Sequence, residues 1–211
     1  MESRMKTKTY LTLAALACVA LLTGCMSSGT LNAIFTDAYG ARADGGYVIP
    51  AVPISEVPVK YRRQEVDYPT DEKPGTIIVD TKNKFLYYVM GDDKAMRYGI
   101  GVGREGFSWK GTTHIAMKRE WPHWTPPGAM IKRQPELAKY RHGMDPGLMN
   151  PLGARALYLF TKGHDTGYRL HGSPEWNSIG HAVSSGCIRL MNQDIIDLYN
   201  RAQVGDKVIV M

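Results

Sequence analysis

Two short stretches near the C-terminus decide the fold: Tyr168–His171 (YRLH) and Cys187–Leu190 (CIRL). Each alternates polar and apolar side chains, as expected for a β-strand with one face in the core. Pleating then places His171 on the polar face of the first strand and Cys187 on the polar face of the second. If the two strands are neighbours, the imidazole and the thiol meet on one surface.

A cysteine beside a histidine is typical of a nucleophilic thiol. The thiolate is the reactive form, and a nearby imidazole favours it over the neutral thiol, whose ordinary pKa is about 8.5. The turn Ser184-Ser185-Gly186 precedes the cysteine, and the backbone N–H groups of Gly186 and Cys187 are candidate donors to a developing oxyanion. Periodicity alone also allows a buried structural cysteine. A metal site is disfavoured, because catalytic zinc takes three protein ligands and the histidines are scattered.

Outward from these strands, short runs separated by turn-forming residues predict a mainly β domain, sandwich-like or barrel-like, over residues 73–211. One helix is predicted at Asp194–Ala202, docked on the sheet, with Asn192 as its N-cap. Residues 120–153 form a long irregular insert, and inserts of this length are usually lids or binding loops. Trp124 in this insert is a candidate wall of a substrate groove.

The N-terminal quarter has a different character. Residues 1–24 are basic and then apolar over Leu11–Leu22, which is too short to span a bilayer and is typical of a secretory signal. The run ends in Leu22–Cys25 (LTGC), which resembles a lipobox and predicts a lipid on Cys25; an ordinary signal with a chance cysteine is the alternative. Residues 25–72 are polar and proline-containing and predict a lipid-anchored tether.

Composition narrows the classes of protein. The 211 residues are 44% hydrophobic and 22% charged, which excludes wholesale disorder and collagen-like repeats. The net charge is +6, but the Lys and Arg residues form no long block, so nucleic acid is disfavoured as a partner. Of the three cysteines, Cys18 lies in the predicted signal and Cys25 at the predicted lipid site. Cys187 is therefore the one free thiol expected in the exported domain. Outside the cytoplasm, thiols normally pair as disulfides.

Three motifs in order carry a family resemblance: His171-Gly172-Ser173, Ile179-Gly180 and the segment Ser184–Leu190 (SSGCIRL). Their sequence and spacing resemble the L,D-transpeptidase catalytic domain (YkuD family, ErfK/YbiS-like), and the resemblance covers residues 73–211. The chain departs from the family pattern at Ser185, where the family usually has histidine two places before the cysteine. This departure leaves the local hydrogen bonding of the thiol open.

The resemblance implies a function without a cofactor. Cys187 would attack stem tetrapeptides of peptidoglycan, release D-Ala and form a thioester, with His171 as general acid and base and the Gly172 carbonyl orienting the ring. An amine would then take the acyl group, giving a 3-3 cross-link or an attached protein such as an outer-membrane protein. The alternatives are an L,D-carboxypeptidase-type hydrolase and a catalytically inactive wall-binding lipoprotein.

Substrate-binding residues are predicted around the thiol. Arg189 and Arg169 match the geometry of a carboxylate, although an ion pair within the protein is an equal alternative for Arg189. Ser184 and Ser185 are further candidates, together with Trp124 in the insert. The lipobox has no aspartate after Cys25, so the resemblance implies a periplasmic protein on the inner leaflet of the outer membrane.

Overall fold

The computed structural model describes residues 38–104 and 109–211. The predicted signal, Cys25 and the start of the predicted tether lie outside the described residues. Among the described residues no helix is both long and apolar enough to cross a membrane. The strands are β1 (Arg42–Asp44), β2 (Tyr47–Ile49), β3 (Gln64–Asp67), β4 (Ile77–Asp80), β5 (Phe85–Gly91), β6 (Lys94–Gly99), β7 (Val102–Gly103), β8 (Gly111–Glu120), β9 (Arg155–Thr161), β10 (His164–Ser173), β11 (Ala182–Ser184), β12 (Ile188–Met191) and β13 (Lys207–Val210).

Nine of these strands form one large mixed sheet in the order β12-β10-β9-β8-β13-β4-β5-β6-β3. The pairs β10/β12 and β13/β4 are parallel and the other neighbours are antiparallel. Two smaller sheets pair β1 with β2 and β11 with β7. The prediction of a mainly β domain with a docked helix is confirmed.

The large sheet curves around its main apolar core. Leu86 and Tyr98 near one end of the sheet belong to the same buried cluster as Leu190 at the other end. The backbones of Gly101 and Arg189 exchange two hydrogen bonds of 2.9 Å, which join the end of β6 to β12. The curvature therefore brings the polar residues of β12 close to the loops that follow β6, and this junction is where the site forms.

The main helix, α2 (Asn192–Arg201), follows β12 directly and covers the core. Ile195 and Leu198 are completely buried, as the helical spacing predicts. Asn192 is the first helical residue, and its side chain does not cap the helix. Its Oδ1 instead accepts a hydrogen bond of 2.9 Å from the backbone N–H of Ala154, so the helix start is tied to the end of the insert.

The predicted tether is wrong for residues 38–72. Tyr39 is 1% exposed, and its hydroxyl donates to Asp194 on α2 and accepts from the backbone N–H of Arg63. Strand β3 pairs with β6 and becomes an edge of the large sheet. Polar composition suggested a solvated spacer, but Tyr39, Ile49 and Val57 of this stretch are buried in the domain, which periodicity over short segments does not reveal.

The insert over residues 120–153, called the lid below, is more ordered than predicted. It contains a short helix, α1 (Gly128–Arg133), and a 3-10 helix at Pro135–Tyr140. Asn150 is fully buried, and its side-chain amide donates to the carbonyls of Pro122, Met144 and Asp145. The side chain of Asn150, near the end of the lid, therefore links this end by a hydrogen bond to Pro122 near the start of the lid.

Candidate active site

The strand register brings His171 and Cys187 to the same cavity. Strands β10 and β12 are parallel neighbours, with Leu170 opposite Ile188 and His171 opposite Arg189. This register places Cys187, just before β12, diagonally across from His171 on the same face. Both side chains line one cavity, while Leu170 and Ile188 are buried on the other face.

The imidazole of His171 is held by its own strand. Its Nδ1 lies 2.6 Å from the carbonyl oxygen of Gly172, and the side chain is buried. Burial lowers the pKa of His171 to about 4; hydrogen bonding to the carbonyl of Gly172 opposes this, whereas the nearby guanidinium groups of Arg189 and Arg169 lower the pKa further. The ring is therefore neutral at pH 7 and able to accept a proton.

The thiol of Cys187 is half-buried, and its Sγ lies 3.9 Å from the carbonyl oxygen of Gly167. Burial raises the pKa of the Cys187 thiol, and the backbone N–H and guanidinium of Arg169 only partly offset that rise. The prediction of a thiolate favoured by the imidazole is wrong for the free protein. Desolvation disfavours both the Cys187 thiolate and the His171 imidazolium, so the resting pair is a neutral thiol and a neutral imidazole.

The loop before Cys187 is organised by Ser184. Its Oγ donates to the carbonyl of Cys187 at 2.6 Å and accepts from the backbone N–H of Gly186 at 3.1 Å. The prediction that the Gly186 N–H points at an oxyanion is therefore wrong in this state, because that donor is engaged within the loop. Ser184 is 2% exposed and shapes the loop, whereas its neighbour Ser185 is more exposed and faces the cavities.

Two cavities, of about 270 and 520 Å³, meet at the thiol. The first also contains His171, and the second extends along β10 past Arg169. Volumes of this size are typical of small-ligand sites. The residues common to both cavities are Trp124, Met130, Leu152, Ser185 and Cys187. The predictions that Trp124 and Ser185 line the groove agree with this geometry.

Both candidate arginines already have carboxylate partners. Arg189 Nη1 lies 2.6 Å from Glu175 Oε2, and Glu175 is exposed, so this pair faces solvent in the first cavity. Arg169 binds both carboxylate oxygens of Asp165 at 2.7 Å and lies over the ring of Tyr158. The ion-pair alternative raised for Arg189 is thus what the structure contains, and Arg169 has a carboxylate partner as well.

Sequence reasoning missed Glu175 and Arg104. Both line the first cavity, and the backbone N–H of Arg104 donates to the carbonyl of Ser184. Arg104 reaches the site because β7 pairs with β11, a contact of two very short strands that leaves no periodic signal. Glu175 reaches it because it lies just after β10, the strand that carries His171. Within residues 38–104 and 109–211, no three acidic, histidine or cysteine side chains form a group suited to a metal ion.

Comparison with known proteins gives a consistent family. The sequence model described as "YkuD: L,D-transpeptidase catalytic domain" matches residues 74–210. The probable L,D-transpeptidase YbiS of Escherichia coli is 31% identical over 69% of this chain and 47% of its own length. A putative L,D-transpeptidase of Fuscovulum blasticum is 31% identical over 64% of this chain and 68% of its own length.

A solved structure is similar over most of the described chain. It comes from Brucella melitensis and is described as a probable carnitine operon oxidoreductase; it is 44% identical over 75% of this chain and 99% of that chain, with a TM-score of 0.51. That description names a different activity from the family that matches residues 74–210. The chain spans about half the length of several curated relatives, 47% of YbiS among them.

Proposed function

Because the chain belongs to the L,D-transpeptidase catalytic-domain family, we propose that it is a cysteine acyltransferase acting on peptidoglycan stem tetrapeptides. The observation that carries the proposal is the position of His171 and Cys187 at one cavity, His171 in β10 and Cys187 just before its parallel neighbour β12, with Nδ1 of the ring held by Gly172. A carbonyl can only accept, so the neutral ring carries its proton on Nδ1 and leaves Nε2 as the base.

The first half-reaction forms a thioester. As Cys187 Sγ attacks the carbonyl between the third and fourth residues of the stem, its proton passes to Nε2 of His171. The tetrahedral intermediate collapses, the C–N bond breaks, and the imidazolium returns the proton to the departing amine of D-Ala. Because both resting groups are neutral, the proton moves during the attack, and no buried ion pair needs to form beforehand.

The second half-reaction transfers the acyl group. An acceptor amine attacks the thioester, Nε2 of His171 takes its proton, and the thiol is regenerated. Transfer between two peptides needs two substrate channels at one sulfur, and two cavities meet at Cys187. This arrangement favours an amine acceptor, from a stem in a 3-3 cross-link or from an outer-membrane protein, over water. Hydrolysis of the L,D-carboxypeptidase type is the second candidate, because water reaches the same thioester.

The test is product formation from purified stems. Incubation of the protein with tetrapeptide stems and an acceptor stem is expected to release D-Ala and yield cross-linked dimers, and Cys187→Ala is expected to yield neither. Val204→Ala, an exposed position in the turn before β13, serves as the matched control and retains activity. Release of D-Ala by the alanine variant would refute the nucleophile, and D-Ala release without dimers would favour the hydrolase. A folded wild type without any product would favour the inactive wall-binding alternative.

We also propose the location that the N-terminal sequence implies: a periplasmic lipoprotein anchored through Cys25 in the outer membrane. The support is the sequence pattern Leu22–Cys25 after a basic and apolar start. Cys25→Ser is expected to move the protein from the membrane fraction to the soluble fraction. Unchanged membrane association of this variant would reject the lipid anchor and leave the enzymatic proposal intact.

A further inference from the structure

A hairpin outside the matched family region grips the base of the lid. The hairpin is β1–β2, residues 42–49, and its Asp44 accepts hydrogen bonds from two lid-end residues. Oδ2 accepts from Nε1 of Trp121 at 2.8 Å and from Nη1 of Arg155 at 2.7 Å, and Oδ1 accepts from Nη2 of Arg155 at 2.8 Å. Trp121 is the first residue after β8 and Arg155 is the first residue of β9. One carboxylate thus ties together the two ends of the lid.

The grip is buried and specific. The side chains of Asp44 and Arg155 are 13% and 6% exposed, so their bidentate pair is largely shielded from solvent. Gly45 has φ +56°, and a Cβ there would overlap the indole of Trp121, so the turn is shaped to receive that ring. Trp121 itself has φ +41°, an unusual backbone conformation for a non-glycine residue, which the surrounding contacts must maintain.

A second contact of the hairpin reaches further into the lid. The ring of Tyr47 packs on Trp121 with centroids 4.2 Å apart, and its hydroxyl donates to the carbonyl of Pro146 at 3.0 Å. The position of the lid matters because Trp124 and Met130, both in the lid, line the two cavities that meet at Cys187. The hairpin therefore holds the base of the wall against which substrate would lie.

We propose that Asp44 is a positioning residue for the reaction proposed above: it fixes the lid so that Trp124 and Met130 complete the substrate cavities. The inference rests on the proposed function for its kinetic readout. It makes a stretch that precedes the matched region, residues 74–210, part of the working enzyme. Asp44 acts through Trp121 and Arg155 and touches neither substrate nor thiol.

The experiment compares Asp44→Asn with Asp67→Asn in the full chain. Asp67 is a matched control, because it lies in the same N-terminal segment and pairs with Lys94 on an exposed surface. Asp44→Asn keeps the shape but sets an amide against two donors. Its KM for tetrapeptide stems is expected to rise about tenfold while kcat changes less than about threefold. Hydrogen exchange over residues 121–153 is expected to quicken, and Asp67→Asn is expected to match the wild type in both measurements.

A milder variant guards against a folding defect. Tyr47→Phe removes only the hydroxyl that binds Pro146, and it is expected to raise lid exchange and KM in the same direction by a smaller factor. A lowered melting temperature with unchanged lid exchange and KM in both variants would overturn the proposal. If the wild type releases no D-Ala, the proposed function fails, and hydrogen exchange of the lid alone tests the role of Asp44. Faster exchange in Asp44→Asn then supports the positioning role of Asp44, and unchanged exchange refutes it.

Discussion

Nδ1 of His171 binds the carbonyl oxygen of Gly172, its own neighbour in β10, at 2.6 Å. This hydrogen bond ties the orientation of the ring to the strand that carries it. The strand itself is fixed between β9 and β12, so the position of Nε2 is set by the sheet.

The acid limb of the pH profile is predicted to lie unusually low. Burial lowers the pKa of His171 to about 4, so the ring remains neutral and basic well below the ordinary histidine range. We expect kcat/KM for D-Ala release to hold down to about pH 5 and to fall as the pH drops through about 4, where the ring is protonated. A pH series of initial rates with a constant-ionic-strength buffer measures this. An acid limb near pH 6.5 would contradict a buried neutral base.

His171→Gln is the matched variant for that profile. Glutamine retains a polar group of similar reach but has no base at this pH, so kcat is expected to fall about 10²- to 10⁴-fold. The residual rate of this variant should no longer fall as the pH drops through about 4. A variant that kept both the rate and the limb would assign the base to another residue.

The thiol is predicted to react slowly at neutral pH in the absence of substrate. Burial raises the pKa of Cys187, so the thiolate fraction at pH 7 is below that of an ordinary cysteine. Alkylation by iodoacetamide, followed at the Cys187 peptide by mass spectrometry, is expected to be slower than for glutathione and to accelerate above pH 9. Arg169→Met should slow it further, because the guanidinium lowers the thiol pKa. Fast alkylation at pH 6 would instead indicate a preformed thiolate.

The Glu175–Arg189 pair is predicted to matter for substrate and little for folding. Glu175 is largely exposed, so Glu175→Gln should change the free energy of unfolding by less than about 1 kcal/mol. We expect Arg189→Met to raise the KM for stems that carry a free carboxylate by about tenfold, with a smaller effect on amidated stems. Kinetics on the two stem types separate charge recognition from a general loss of packing. Equal effects on both stems would make Arg189 a purely structural residue.

The part of the site that follows from alternation was predictable. Leu170 and Ile188 had to enter the core, so His171 and Cys187 had to face the opposite surface, and the parallel pairing of β10 with β12 brings them together. The motif order around them gave the family. Local periodicity is enough here because a strand has only two faces.

The rest depends on contacts that no local pattern reports. The hydroxyl of Ser184 accepts from the backbone N–H of Gly186 within the same turn. Asn192 accepts from the backbone N–H of Ala154 instead of capping its own helix, because the end of the lid lies next to the start of that helix. The direction of the pKa shift of Cys187 follows from burial, which the sequence indicates only for the core face. Asp44 looked like part of a spacer, and its partner Arg155 lies 111 residues away.

The lid is predicted to depend on Asn150. Its buried amide donates to the carbonyls of Pro122, Met144 and Asp145, and its Oδ1 accepts from the N–H of Leu152. Asn150→Ala removes one hydrogen-bond partner from each of these groups, so we expect a loss of about 2–4 kcal/mol in the free energy of unfolding by urea. The exposed Asn177 is the control, and Asn177→Ala should stay within about 0.5 kcal/mol. If Asn150→Ala loses no more unfolding free energy than Asn177→Ala, the lid does not unfold cooperatively with the rest of the domain.

Asp194 is predicted to make stability fall as the pH rises. Burial raises its pKa to about 7 from an ordinary 3.8; the charge of Arg63 and the hydrogen bond of Tyr39 oppose the rise, and the charge of Asp197 adds to it. The folded state therefore holds a proton that the unfolded state has lost between pH 4 and 7, and this favours folding most strongly at the acid end. His171 contributes in the opposite sense, because its folded pKa is lowered, so the wild-type curve alone is ambiguous.

Comparison with Asp194→Asn isolates the carboxyl. Asparagine keeps the hydrogen-bonding shape without a charge to desolvate, so the melting temperature of the variant relative to the wild type should rise from pH 5 to about pH 7 and level off above it. Asp197→Asn is the control, because the pKa of Asp197 is lowered and its carboxylate stays charged across that range. A constant difference between Asp194→Asn and the wild type over this range would mean that Asp194 is charged in the folded protein, held by Arg63 at 3.8 Å.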